Sequence, residues 1–138
     1  MPSSASRIDR SSYILSRQRQ EMLDLVSEVE TLERKIEARS ASRTDRFRKR
    51  GQLLPRERLA LLFDPGEPQL PLSALAGLRM YDDDGEEEVL GAALIVRVGI
   101  VHGVRVMAIC HDSAIKGGAT SPIGLAKFLR AQEVAMQN

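Results

Sequence analysis

Ala92-Ala-Leu-Ile-Val-Arg-Val-Gly-Ile100, Val101-His-Gly103 and Val104-Arg-Val-Met-Ala-Ile-Cys110 form the stretch that decides the fold. Two β-rich runs flank a short segment ending in glycine, which predicts a β-hairpin. Nearly every position of both runs is apolar, whereas a strand with one wet face would alternate apolar with polar residues. The expectation is therefore strands buried on both faces. A lone hairpin is marginal in water, and each apolar face needs a second layer. More strands are expected after Asn138, so by this argument the chain is only part of a domain.

Outward from the hairpin, Lys116-Gly117-Gly118 reads as a turn, and Ser121-Pro122 as an N-cap followed by proline at the first helical position. Ile123, Leu125, Ala126, Leu129 and Val134 give the following helix an apolar side up to the chain end. Before the hairpin, Pro55 opens a short helix with Leu59, Leu62 and Phe63 on its apolar face, stopped by Asp64-Pro65-Gly66. Leu70, Leu72, Leu75 and Leu78 suggest an irregular or strand-like segment, and the acidic run 82–88 a solvated loop.

The first third of the chain has a different period. Leu15, Met22, Val29 and Ile36 recur every seven residues with Leu25 and Leu32 between them, an a/d seam broken by Gln18. Residues 11–39 thus read as one long amphipathic helix, too polar to gain much stability without a packing partner. Residues 1–10 read as a disordered tail, and the basic, apolar-poor stretch 40–51 as a connector. The expected order is helix, helix, hairpin, Gly-Gly loop, helix.

Composition narrows the function. The chain of 138 residues carries 20 Lys and Arg against 19 Asp and Glu, a net +1 that argues against a dedicated nucleic-acid binder. The basic run Arg43 to Arg50 has only Phe47 nearby as a stacking platform. One cysteine, Cys110, excludes an internal disulfide framework and fits a reducing compartment. Two isolated histidines and no His/Cys/Asp spacing leave no zinc site. The start lacks the apolar core of a signal peptide, and no run approaches the roughly 18 apolar residues of a membrane span. The expected setting is cytoplasmic, or the mitochondrial matrix in a eukaryote.

Three stretches together resemble the carboxyltransferase (beta) subunits of biotin-dependent acyl-CoA carboxylases. Arg50 to Gly66 is similar to the family's segment of a basic residue, Gly, x, Leu, x, x, Arg-Glu-Arg, x, x, x, Leu, x, Asp. Gly99 to Ala108 resembles its Gly-containing hairpin. Asp112 to Glu133 resembles its Asp, x, x, Val, Lys-Gly-Gly segment and the later Lys, x, x, Arg-Ala-Gln-Glu. The resemblance runs from about Leu15 to Asn138. Pro55 and Thr120-Ser121-Pro122 lean towards the methylcrotonoyl-CoA or geranyl-CoA branch, whereas residues 119–121 depart from the usual methylcrotonoyl pattern of Thr and Tyr.

The resemblance implies an α/β fold: a partial crotonase-like (ClpP/crotonase) domain, with residues 40–138 supplying its first β-β-α unit after the long helix and the short one. It implies a ligase that transfers carboxyl from carboxybiotin to an acyl-CoA. That chemistry rests on backbone N–H groups that stabilise an enolate, and on positioning of two large cofactors. The family's oxyanion motifs lie outside the matched stretch, so no catalytic residue and no metal is expected here, and the isolated chain is expected to be inactive. Biotin is carried by a partner, the biotin carboxylase/biotin carrier (alpha) subunit, and other copies of the beta subunit are the second partner class; no nucleic acid and no membrane is expected.

For the acyl-CoA, the candidate contacts are Lys116, Gly117, Gly118 and Ala119 in the loop after the hairpin, with Arg56 and Arg58 towards the CoA phosphates. The bland alternatives are a tight turn requiring positive φ for the loop, and a salt-bridged helix start for the arginines. Lys127 and Arg130 read as a solvated face, His102 as a turn residue, and Cys110 as core filler. The alternative to an acyl-CoA carboxylase fragment is a non-catalytic coiled-coil/β-α interaction module.

Overall fold

The hairpin forms where the apolar runs place it, in a computed structural model that describes residues 12–80 and 89–138. The expected tail 1–10 and acidic loop 82–88 lie outside the described residues. Strand β2 spans Leu94–Val101 and β3 spans Val104–His111, antiparallel from Leu94↔His111 to Val101↔Val104. The turn is the two-residue pair His102 (φ 49°) and Gly103 (φ 76°). Two left-handed residues match the twist of the flanking strands, so Val101 stays in the ladder. The carboxylate of Asp64 accepts the amides of His102 and Gly103, each at 2.8 Å, and thereby ties the turn to the preceding loop.

A third strand joins this pair. β1 is the short Leu70–Pro71, paired with β2 as Leu70↔Val98 and Pro71↔Arg97, giving a sheet of order β1-β2-β3. Pro71 is tolerable because β1 is an edge strand. The Leu70 to Leu78 segment is thus strand-like only at its start.

Each face of the sheet carries one helix. Helix α3, Pro55–Leu62, sets Leu59 and the following Phe63 against Ile95, Val106, Ala108 and Cys110. Helix α4, Pro122–Gln137, sets Phe128 and Ala131 against Leu94, Val96, Met107 and Ile109. Alternate residues of β2 and β3 therefore face opposite helices, as period-two side chains require. Both faces are covered, but unequally: the first half of β2 is buried, while β3 is half-buried and Val104 is 62% exposed. The expectation of strands buried throughout fails for β3, because α3 has only 8 residues and leaves the hairpin tip bare. Leu62, expected on the core face, is also largely exposed.

Gly99 makes the α3 face possible. A Cβ at this position would lie 2.6 Å from the Phe63 ring, so only glycine admits the aromatic. Proline at the start of α3 and the Glu57 carboxylate, which accepts the Leu54 amide at 2.8 Å, settle the open amides of its first turn. Ser121 Oγ does the same for α4 by accepting the Gly124 amide at 3.1 Å.

Two further departures come from local conformation. Ala92 and Ala93, read as strand, instead continue a left-handed turn from Gly91, with φ of 63°, 59° and 51° along the three residues. The stretch read as a connector contains helix α2, Thr44–Arg48, whose Phe47 is buried. One aromatic anchor holds this turn of an otherwise basic segment.

The long helix α1 runs Tyr13–Ala41. The chain divides into two compact units, Met1–Leu32 and Glu33–Asn138. In the first, the heptad positions Met22, Leu25 and Val29 are exposed, Met22 at 60%. In the second, Ile36 and Ser40 of the last turns of α1 are buried. Among the described residues no helix is long and apolar enough to cross a membrane.

Candidate functional site

The loop between β3 and α4 is built from its buried end outward. Asp112 is 3% exposed; its Oδ1 accepts the Ser40 hydroxyl at 3.1 Å and the Ala114 amide at 3.2 Å. Its amide donates to the Ala93 carbonyl at 2.8 Å. Ile115 is a buried anchor packed with Val89 and Ala93. From it the chain enters a 3-10 turn, Lys116–Gly118, with φ of 42°, 68° and 80°.

This turn unites Lys116, Gly117, Gly118 and Ala119 in one exposed element. A side chain on Gly117 would meet nothing within 4 Å. Its glycine is therefore required by the left-handed backbone and not by crowding, and the same openness lets a ligand reach the main chain. Gly118 rests on Ser113, whose Cα would lie 3.3 Å from an added Cβ. The amides of Gly118 and Ala119 donate to Ile115 and Lys116 carbonyls at 2.8 and 3.3 Å. Those two amides close the turn and are thereby engaged within it, not turned out towards an oxyanion.

The two arginines of α3 part company. Arg58 borders a surface depression with Phe47, Gln52 and Ser113, on the side where Ser113 supports Gly118. Arg56 points elsewhere: it donates to Glu37 at 2.9 Å and lines a cavity of about 60 Å³ with Arg97, Lys127, Asp112 and Glu33. Glu57 pairs with Arg48 and not with its helix neighbours. Among the described residues the buried Nε atoms of Arg56 and Arg97 have no hydrogen-bond partner, while Arg97 also donates to Gln69 at 2.8 Å. Burial first, then the charge of Arg56, pulls the Arg97 guanidinium below its ordinary range.

Lys127 corrects the sequence reading outright. It was expected on a solvated face, yet it is 7% exposed and its ammonium donates to the carbonyls of Gly91 at 3.0 Å and Leu94 at 2.6 Å. Burial, with a smaller contribution from Arg56, pushes its pKa down to about 8. The missed signal was the spacing of Gly124 and Ala131, three before and four after: small residues on one helical stripe mark close packing, and Lys127 lies on that stripe. Gly124 confirms the contact, since a Cβ there would lie 2.9 Å from the Ala92 carbonyl oxygen.

Beside the loop lies a second cavity, about 210 Å³, walled by Ala92, Leu94, Ala119, Leu125 and Phe128 with His111 and Thr120 at its polar edge. Cys110 is half-buried against the α3 cluster and burial raises its thiol pKa, which suits packing and not nucleophilic attack. Among the described residues no cluster of His, Cys, Asp and Glu could hold a metal ion.

Comparison with known proteins places these features. The family model described as the carboxyl transferase domain matches residues 46–138. The chain is 37% identical over 134 residues to the probable methylcrotonoyl-CoA carboxylase beta chain, mitochondrial, of Drosophila melanogaster, covering 96% of this chain and 23% of that one. The crystal structure of the P. aeruginosa geranyl-CoA carboxylase beta subunit superposes with a TM-score of 0.87 at 43% identity, over 99% of this chain and 25% of that chain. A transcarboxylase 12S structure, described as a hexamer assembly, shares the fold at a TM-score of 0.71 and 22% identity, over 84% of this chain and 23% of that one. The chain thus spans about a quarter of the proteins it matches. The helices and small antiparallel sheet are a portion of the crotonase-like fold of these carboxyltransferases.

Proposed function

We propose, from the premise that the chain belongs to the carboxyl transferase domain family, that it forms the acyl-CoA-side part of a biotin-dependent acyl-CoA carboxylase. In that reading the whole enzyme is a ligase that moves carboxyl from carboxybiotin to a methylcrotonoyl-CoA-like thioester. This stretch binds the thioester and helps assemble the subunits. The observation that carries the reading is the Lys116–Ala119 turn: an exposed cation, a left-handed glycine with open backbone, and an apolar cavity against Ala119. CoA thioesters combine phosphates, amides and an apolar acyl group, and these three features answer them in turn. Arg58 lies on the loop's side of α3 and supplies a phosphate contact; Arg56, held by Glu37, is the weaker candidate.

Biotin is delivered by a biotin carboxylase/biotin carrier subunit; the likeness to the biotin-dependent 3-methylcrotonyl-coenzyme A carboxylase beta1 subunit of Mycobacterium tuberculosis supports biotin dependence. Other copies of the same subunit form the second set of partners, and the exposed Met22, Leu25 and Val29 of α1 support a role for that helix in assembly. The compartment is the cytosol or, by likeness to the fly relative, the mitochondrial matrix.

Calorimetric titration of the chain with 3-methylcrotonoyl-CoA, against free CoA and acetyl-CoA, tests the reading. Lys116→Ala and Arg58→Ala are each expected to weaken binding about tenfold, or 1.4 kcal/mol, with the longer acyl group preferred. Absence of binding by the folded chain, or variants that bind as wild type does, overturns it. Self-association through α1 without CoA binding would favour the interaction-module reading.

A further inference from the structure

We propose that Lys127 is a positioning residue for the Lys116–Ala119 loop, acting through the left-handed turn Gly91–Ala93; that the loop contacts an acyl-CoA rests on the function proposed above. The path is short and consists of hydrogen bonds. The ammonium holds the Gly91 and Leu94 carbonyls at 3.0 and 2.6 Å, the two sides of the turn. Between them the Ala93 carbonyl accepts the amide of Asp112 at 2.8 Å. The carbonyl of Asp112 then accepts the Ile115 amide at 2.9 Å, and Ile115 in turn accepts the Gly118 amide at 2.8 Å. Three connected backbone links thus lead from the turn that Lys127 holds to the second glycine of the loop.

The turn needs such a clamp. Ala92 and Ala93 have φ of 59° and 51°, a conformation that costs a residue with a Cβ about 1 kcal/mol or more. Three successive left-handed residues orient their carbonyls in an arrangement that no helix or strand satisfies. A buried cation able to donate to two carbonyls is the matching group. The same turn walls the acyl-side cavity through Ala92 and Leu94, opposite Ala119. Moving it alters the cavity and the loop together.

The charged groups around the ammonium come from every element packed there: Arg56 of α3, Glu33 and Glu37 of α1, Arg97 of β2 and Asp112 after β3. None of these lies within salt-bridge distance of Lys127 in the structure, so the carbonyls are its partners. A structural lysine that merely filled space would be replaceable by methionine, which matches its aliphatic stem and lacks only the ammonium.

Amide hydrogen exchange read residue by residue, on the full chain and its Lys127→Met and Lys127→Arg variants, tests the proposal. Lys127→Met is expected to speed exchange of the Asp112 and Gly118 amides at least tenfold while the β2–β3 ladder amides keep their protection. Lys127→Arg, which retains the donors, is expected to restore a substantial part. Uniform acceleration of ladder and loop, or unchanged loop amides in Lys127→Met, overturns the proposal. Should the methionine variant not fold, wild type alone decides: the amide shifts of Ala92, Ala93 and Asp112 must titrate together in mild alkali, and shifts that stay flat overturn it. Binding of 3-methylcrotonoyl-CoA is measured in parallel. If wild type does not bind the thioester, the functional reading fails while the exchange data still decide the positioning role.

Discussion

Ser40 and Asp112, 72 residues apart in sequence, meet in the interior, where the serine hydroxyl donates to the aspartate Oδ1 at 3.1 Å. Both side chains are almost fully buried, so the bond joins the last turn of α1 to the root of the candidate loop. Ser40→Ala removes one of the two donors that Asp112 has among the described residues, the other being the Ala114 amide. A buried acceptor left short costs about 1–3 kcal/mol. Urea unfolding is expected to show that loss, and a variant with an unchanged midpoint would mean that the carboxylate finds another donor.

Gly99→Ala is expected to destabilise the chain by roughly 1–3 kcal/mol, because overpacking a filled site forces strain on its neighbours. The added methyl would lie 2.6 Å from the Phe63 ring. The backbone at Gly99 is an ordinary strand, so the whole effect comes from that contact. In a Phe63→Leu background the same substitution should cost clearly less, and the double-mutant cycle measures the difference. Additive effects would refute the packing account.

How far these contacts were legible varies with the kind of signal. Two apolar runs around Val101-His-Gly103 predict a hairpin, and cover on both its faces is expected from apolar residues at nearly every position, but that α3 and α4 supply the cover is seen only in the structure. Proline and serine at Pro55, Ser121 and Pro122 place the helix starts. The left-handed Ala92 and Ala93 could not be foreseen, since alanine has no preference for that conformation and only tertiary contacts impose it. Helix α2 rests on one aromatic, Phe47, too little for a periodicity. Of the candidate site, the Lys116–Ala119 turn was readable because paired glycines announce positive φ. The separation of Arg56 from Arg58 depends on Glu37, which is distant in sequence. Lys127 was hidden for a simpler reason: a lysine on a helix reads as solvent-facing unless the small Gly124 and Ala131 on its stripe are weighed, and its carbonyl partners carry no sequence signature.

Acid should act on the hairpin through Asp64. The amides of Gly103 and His102, in that order of effect, hold its carboxyl below the ordinary 3.8. A carboxylate whose folded-state pKa is depressed contributes stability that is present above the unfolded value and lost as pH falls through the folded one. The expected observation is a carboxyl carbon NMR titration of Asp64 with its midpoint below 3.8. Asp64→Asn should melt lower than wild type at neutral pH, with the gap closing in acid. A midpoint at or above the ordinary value would mean that the turn amides do not hold the carboxylate in solution.

Alkali should act in the opposite sense through Lys127. Its pKa is about 8 in the folded chain against 10.5 when unperturbed. Below the lower value both states carry the proton and the burial cost is felt in full. Between the two, the unfolded chain binds more protons than the folded one, so stability rises with pH, by at most about 1.4 kcal/mol per unit. The carbonyls of Gly91 and Leu94 favour the ammonium, which holds the folded pKa up and narrows the window in which stability rises. They do not reverse the rise while desolvation is the leading cause of the shift. The stability difference between wild type and Lys127→Met, taken from urea midpoints at about pH 7, below the window, and about pH 9.5, inside it, should move in favour of wild type at the higher pH. Lysine that titrated as in water would leave the difference constant over that range, and a movement towards the methionine variant would mean that the two carbonyl bonds outweigh burial.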